Sequence, residues 1–142
     1  MIDPGAWASE IKRLPVKLTH VRDLEFFDGP LLSEFKSGRG ETFIFYWCDF
    51  GEETNRWLVI RTPKSQLLRY LVRRADLLEL IDDCPDQTAY VVDVDAKRTH
   101  RRVWFANVEE IPSDYKPEAG ALFDPNSQPL SNGKQFQDVA LD

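Results

Sequence analysis

Residues 85–97 read PDQTAYVVDVDAK, and two architectures compete for them. In one, Asp86 ends a strand, Asp95 and Lys97 lie on the next, and the acids hold a divalent metal inside an α-β-β-β-α core. In the other, residues 88–94 form one strand, DAKRTH (95–100) is a polar turn, and RRVWFANV (101–108) is the returning strand of an antiparallel hairpin. Side chains alternate along a strand, so Tyr90, Val92 and Val94 share one face and Asp93, Asp95 and Lys97 the other. Only eight residues separate Asp86 from Asp95, and one strand fills that gap. Lys97 falls in the turn, and no helical pattern follows it. The hairpin is the better account.

Working outward, LEFFDGPLLSEF (24–35) reads as strand, turn and strand, with Asp28-Gly29-Pro30 as turn chemistry. ETFIFYWCDF (41–50) is rich in aromatic and β-branched residues, and RWLVIRT (56–62) follows after a polar loop. Short strands with short connections predict antiparallel pairing. The period then changes. Thr62 and Pro63 suit a helix start, and Leu67, Leu68, Leu71, Val72, Ala75, Leu78 and Ile81 follow helical spacing. Asp76 suits the cap of a second short helix, with a break near Arg74. The expected fold is therefore α+β: a mainly antiparallel sheet of about six strands, with one helical element, broken in two, between the fourth strand and the last hairpin. Residues 1–23 read as an extension with a short helical turn over 6–13, because Trp7 and Ile11 are four apart. Residues 24–124 read as one domain and 125–142 as a flexible acidic tail.

The chain has 142 residues and a formal net charge of −6, with 42% hydrophobic residues. That suffices for one packed core and argues against bulk affinity for nucleic acid or anionic membrane. No apolar run reaches the roughly 18 residues that span a bilayer, and the first fifteen residues lack a secretory pattern. Cys48 and Cys84 have no metal-ligand spacing, so a reduced, cytoplasmic setting without cofactor or structural metal is expected.

Candidate sites are few. The catalytic alternative is the set Asp86, Asp93, Asp95 and Lys97, whose pattern matches the PD-(D/E)xK signature of metal-dependent nucleases; two carboxylates bind the metal and the lysine orients the attacking water. The structural alternative puts Asp93 and Asp95 on the solvent face, paired across the hairpin with Arg101 and Arg102. Arg69, Arg73 and Arg74 on the helix, with Lys97, Arg98, Arg101 and Arg102 around the hairpin, would make a patch for phosphate or an acidic partner if the two groups met. Nucleic-acid binding through this patch is a further alternative. Phe43, Phe45, Tyr46, Trp47, Phe50 and Trp57 suit a core better than a base-stacking platform.

FDGPLLSEF (27–35), Gly40, Tyr46, Trp47, Asp49, RWLVI (56–60), LLRYL (67–71), YVVDVD (90–95) and IPSDYKP (111–117) together resemble a small bacterial family of uncharacterised domains. The resemblance covers about residues 24–124 and implies a compact stand-alone domain of bacterial or phage origin, without assigning activity or site. Such domains often accompany a larger effector in defence or toxin systems, an analogy only. The leading expectation is a non-enzymatic binding or regulatory module that docks on a protein partner; oligomeric state is not legible.

Overall fold

The computed structural model describes residues 1–27, 29–95 and 101–127. Seven strands run β1 (Ser9–Ile11), β2 (Leu18–Phe26), β3 (Pro30–Ser37), β4 (Thr42–Phe50), β5 (Thr54–Arg61), β6 (Thr88–Asp95) and β7 (Arg101–Asn107); helices α1 (Lys64–Leu71) and α2 (Leu77–Asp82) lie between β5 and β6. They form one antiparallel sheet in the order β1-β7-β6-β5-β4-β3-β2. The hairpin reading of residues 88–108 therefore holds, with Val92 opposite Val103.

The strand count is seven, and the extra strand is β1. It is three residues long with only Ile11 apolar, too short to show alternation. The helical turn expected over 6–13 is not formed. A 3₁₀ turn occupies Pro4–Ala6, and the next residues pair with the otherwise open edge of β7. Backbone pairing along an open strand edge outweighs one i, i+4 apolar pair. β2 also starts earlier than expected, at Leu18.

β1 and β2 are the two edges of the sheet, yet only residues 12–17 join them. Seven backbone steps reach at most about 25 Å. Six strand spacings in a flat sheet span about 29 Å. The sheet must curl, and its concave face closes over Leu14, Leu18, Phe35, Phe43, Phe45, Trp57, Val59, Val92, Val94 and Val103. Phe35 and Phe45 stack there at 4.0 Å. The other face carries Leu32, Ile44, Leu58, Ile60, Val91 and Trp104 against Leu67, Tyr70, Leu77, Leu80 and Ile81 of the helices. β4 is thus covered on both faces, as its two apolar sets require.

Local signals set the helix ends. Asp76 accepts from the Glu79 amide in a capping box at the start of α2. At α1 the cap is Pro63, one residue later than expected, because the Thr62 hydroxyl turns back to the Ile60 carbonyl. α1 ends in a Schellman turn: the Arg74 amide donates to Arg69 and the Arg73 amide to Tyr70. Its left-handed position, where glycine is usual, is held by Arg73 at φ 63°. No helix among the described residues is long and apolar enough to cross a membrane.

The concave core gives a direct test. Phe45→Ala should cost about 3–5 kcal/mol in denaturant unfolding, whereas Leu68→Ala on the exposed side of α1 should stay within about 0.5 kcal/mol.

Candidate functional site

The densest polar constellation lies on the helix-covered side of the sheet, at the end where β5 begins. Arg56 is only 3% exposed, and Asp93, facing it from β6, only 7%. Arg56 Nε and Nη2 donate to the two Asp93 oxygens at 2.7 and 2.8 Å. Nη1 donates to the Tyr115 hydroxyl at 2.9 Å and to the Ile2 carbonyl, and the Tyr115 hydroxyl donates onward to Asp49 Oδ2 at 2.7 Å. Trp104 lies under the guanidinium at 5.4 Å, and Trp7 meets the edge of Tyr115 at 5.9 Å. Burial opposes the charge on Arg56, but its bonds to Asp93 and Tyr115 outweigh that and leave its pKa raised. Burial, then the bond to Asp49, raises Tyr115, which keeps it a proton donor.

This arrangement binds five chain segments together: the N-terminus, β4, β5, β6 and the 3₁₀ turn Ser113–Tyr115. Every donor nitrogen of Arg56 is engaged within the chain, so the cluster acts as an internal clamp. Sequence reading missed Arg56 because its partners come from positions up to 59 residues away.

Of the four candidate catalytic residues, the three described, Asp86, Asp93 and Asp95, are not brought to one point. Asp93 is turned inward to Arg56 rather than toward solvent, which corrects the expected exposed pairing across the hairpin. Asp86 is held by Arg61, whose Nε and Nη2 donate at 2.7 Å each. Asp86 precedes β6 and Asp93 lies near its far end, so about seven residues of strand, roughly 20 Å, separate them. One ion cannot bridge that span. Asp95 is half-buried opposite Thr54, and Lys97 lies outside the described residues. Among the described residues no group of three His, Cys, Asp or Glu side chains could hold a metal ion.

The described members of the two basic groups also stay apart. Arg102 pairs with Glu10 of β1 at 3.0 Å and stacks on Trp104 at 4.7 Å. Arg101 starts β7. α1 lies toward the opposite edge, where the Tyr70 hydroxyl donates to Glu25 of β2, five strands from β7 in the sheet order. Arg98 and the tail beyond 127 lie outside the described residues.

A different surface emerges on α1. Leu68 and Val72, one helical turn apart, are 59% and 54% exposed, although helical periodicity had counted them with the core. Lys64, Arg69, Arg73 and Arg74 surround them, all exposed, and none forms an ion pair among the described residues. A second buried cluster sits on the concave side. Ser33 Oγ donates to Asp23 Oδ1 at 2.6 Å, and His20 Nε2 meets the same oxygen at 2.8 Å. It fastens β2 to β3. Neither thiol is primed for chemistry. Burial pushes Cys48 and Cys84 above the ordinary thiol value, so both stay protonated at neutral pH.

Two outcomes follow. Arg56→Ala strands a buried carboxylate and should cost about 3–5 kcal/mol, whereas Arg56→Met with Asp93→Leu should recover most of it; urea unfolding of both variants measures the difference. At Asp86, the hydrogen bond from Arg61 holds the carboxyl below its usual 3.8. A depressed carboxyl stabilises the fold above its unfolded value, and that contribution fades as pH falls through the folded value. Asp86→Asn should therefore flatten the acid limb of the stability profile below about pH 4, by well under 1 kcal/mol because the pair is solvent-screened.

No curated protein and no solved structure matches the chain. A family model does match, over residues 15–134. The chain therefore belongs to the family of unknown function DUF6575.

Proposed function

We propose that this chain is a non-enzymatic binding or regulatory module that docks on a protein partner through the outer face of α1. The observation that carries the reading is Arg73. It occupies the left-handed position of the Schellman turn at φ 63°, where a side chain costs about 1 kcal/mol that glycine would avoid. Strain of this kind gathers at ligand clamps and switch regions; the chain's other left-handed side chain, Gln87 at φ 55°, is bonded to Asp82 and Cys84 within the fold, whereas Arg73 is exposed. Here the strained arginine borders two exposed aliphatic side chains and two more arginines without ion pairs. An apolar centre ringed by arginine suits a protein partner with an apolar anchor and acidic surroundings.

Two further features support docking over catalysis. Asp86 and Asp93 are each neutralised by a bidentate arginine. The Cys84 thiol is buried and the Cys48 thiol half-buried, and burial raises the pKa of both.

The test is a trade-off. Arg73→Gly should raise the unfolding free energy by about 1 kcal/mol while weakening partner capture in a pull-down. Leu68→Glu with Val72→Glu should abolish capture and leave the melting temperature nearly unchanged. Capture indifferent to all three substitutions would remove α1 as the docking face.

A further inference from the structure

The β4–β5 tip carries the chemistry that the α1 face lacks. Phe50, at the end of β4, is 63% exposed, and its ring stacks on Trp47 at 5.5 Å and 14°. Trp47 is fixed in turn, its indole N–H donating to Asn55 at 2.9 Å. The aromatic pair is therefore rigid and needs little ordering on contact. Met1 packs over Gly51, and Met1 and Ile2 are themselves more than half exposed. Phe50 and Met1, on either side of the turn at Gly51, give the tip an exposed apolar surface. Glu52 and Glu53 flank it, exposed and in no ion pair among the described residues.

The two surfaces are complementary in both respects. One is an aliphatic pair ringed by Lys64, Arg69, Arg73 and Arg74. The other is an aromatic pair edged by two glutamates. Within one chain both remain exposed, so neither covers the other. Resting on the docking role proposed above for α1, we infer that the partner is a second copy of this chain, whose β4–β5 tip seats Phe50 between Leu68 and Val72 while Glu52 and Glu53 meet the arginines. The contact joins two different patches and each copy offers both, so it builds a closed assembly, the two-copy pair being the smallest, where the rotation closes and an open chain where it does not. Arginine beside glutamate at the rim gives it orientation and a salt-dependent association rate, and the buried aromatic gives it most of its strength.

Sedimentation of the full chain tests this. The wild-type chain should self-associate at low salt and dissociate as salt rises. Arg69→Glu with Arg73→Glu, and separately Glu52→Arg with Glu53→Arg, should each weaken self-association about tenfold or more. All four positions are exposed, so each variant should keep the wild-type melting curve. The deciding sample is the mixture of the two variants. Each has one reversed patch that matches the other's, so they should assemble with one another although neither assembles alone. Phe50→Ser alone should lose self-association, because neither copy then has a ring to seat between Leu68 and Val72. A wild-type chain that stays monomeric at high concentration overturns the inference, as does self-association untouched by the charge reversals. A monomer whose α1 substitutions still abolish capture of a different protein overturns the second-copy assignment and leaves the docking role standing. If the α1 substitutions alter neither capture nor self-association, both fall together.

Discussion

Six residues connect the two edges of a seven-stranded sheet, and that short tether governs the rest of the architecture. A flat sheet would leave the tether several ångströms too short. Curling solves the geometry and creates an enclosed side that must be filled. The sequence fills it with Phe35, Phe43, Phe45 and Trp57, large rings that close-pack a curved space with few side chains. The helices are then excluded from the concave side and lie against the outer one. That is why α1 turns one flank to Ile44, Leu58 and Ile60 and the other to water.

The clamp around Arg56 completes what the curl begins. The start of β5 lies beyond the reach of the helices, so the outer face there is covered by the N-terminus and the turns after β7. Such irregular segments bring few apolar contacts. A guanidinium that bonds Asp93, Tyr115 and the Ile2 carbonyl ties two of them, the N-terminus and the Ser113–Tyr115 turn, to β6 at once. Burying this charge is costly, and an apolar replacement of both partners would hold nearly as well. What the ion pair adds is direction: it admits only the arrangement in which every donor finds its acceptor.

The clamp and the Arg61–Asp86 pair bear on function together. Each takes a carboxylate that sequence pattern offers to a metal and commits it to an arginine. Among the exposed side chains with no ion pair among the described residues are the arginines of α1 and the two glutamates at the β4–β5 tip. The docking role proposed for the chain rests on this contrast between carboxylates committed to the scaffold and charged side chains left at the surface. Arg73 fits this view, since glycine would serve the fold better at that position.

Alternation and turn chemistry made most of the fold legible. The run from Glu41 to the returning strand after residue 100 announced its strands by aromatic and β-branched content, and Asp76, a short carboxylate suited to a helix cap, announced the start of α2. These signals act over a few residues, so one sequence displays them. The family match likewise needed nothing but the order of residues. β1 was hidden because a three-residue edge strand is specified by the vacant edge of β7, which exists only after folding. The direction of Asp93 was hidden for the same reason. Alternation correctly separated it from Val92, but whether its face meets water or Arg56 depends on what packs there, and Tyr115 and the N-terminus arrive from opposite ends of the chain. Leu68 and Val72 were counted with the core because helical spacing gives the position of a side chain around an axis, not how wide a stripe the sheet will cover. Burial is a property of the assembled layers, and only the tertiary structure decides it.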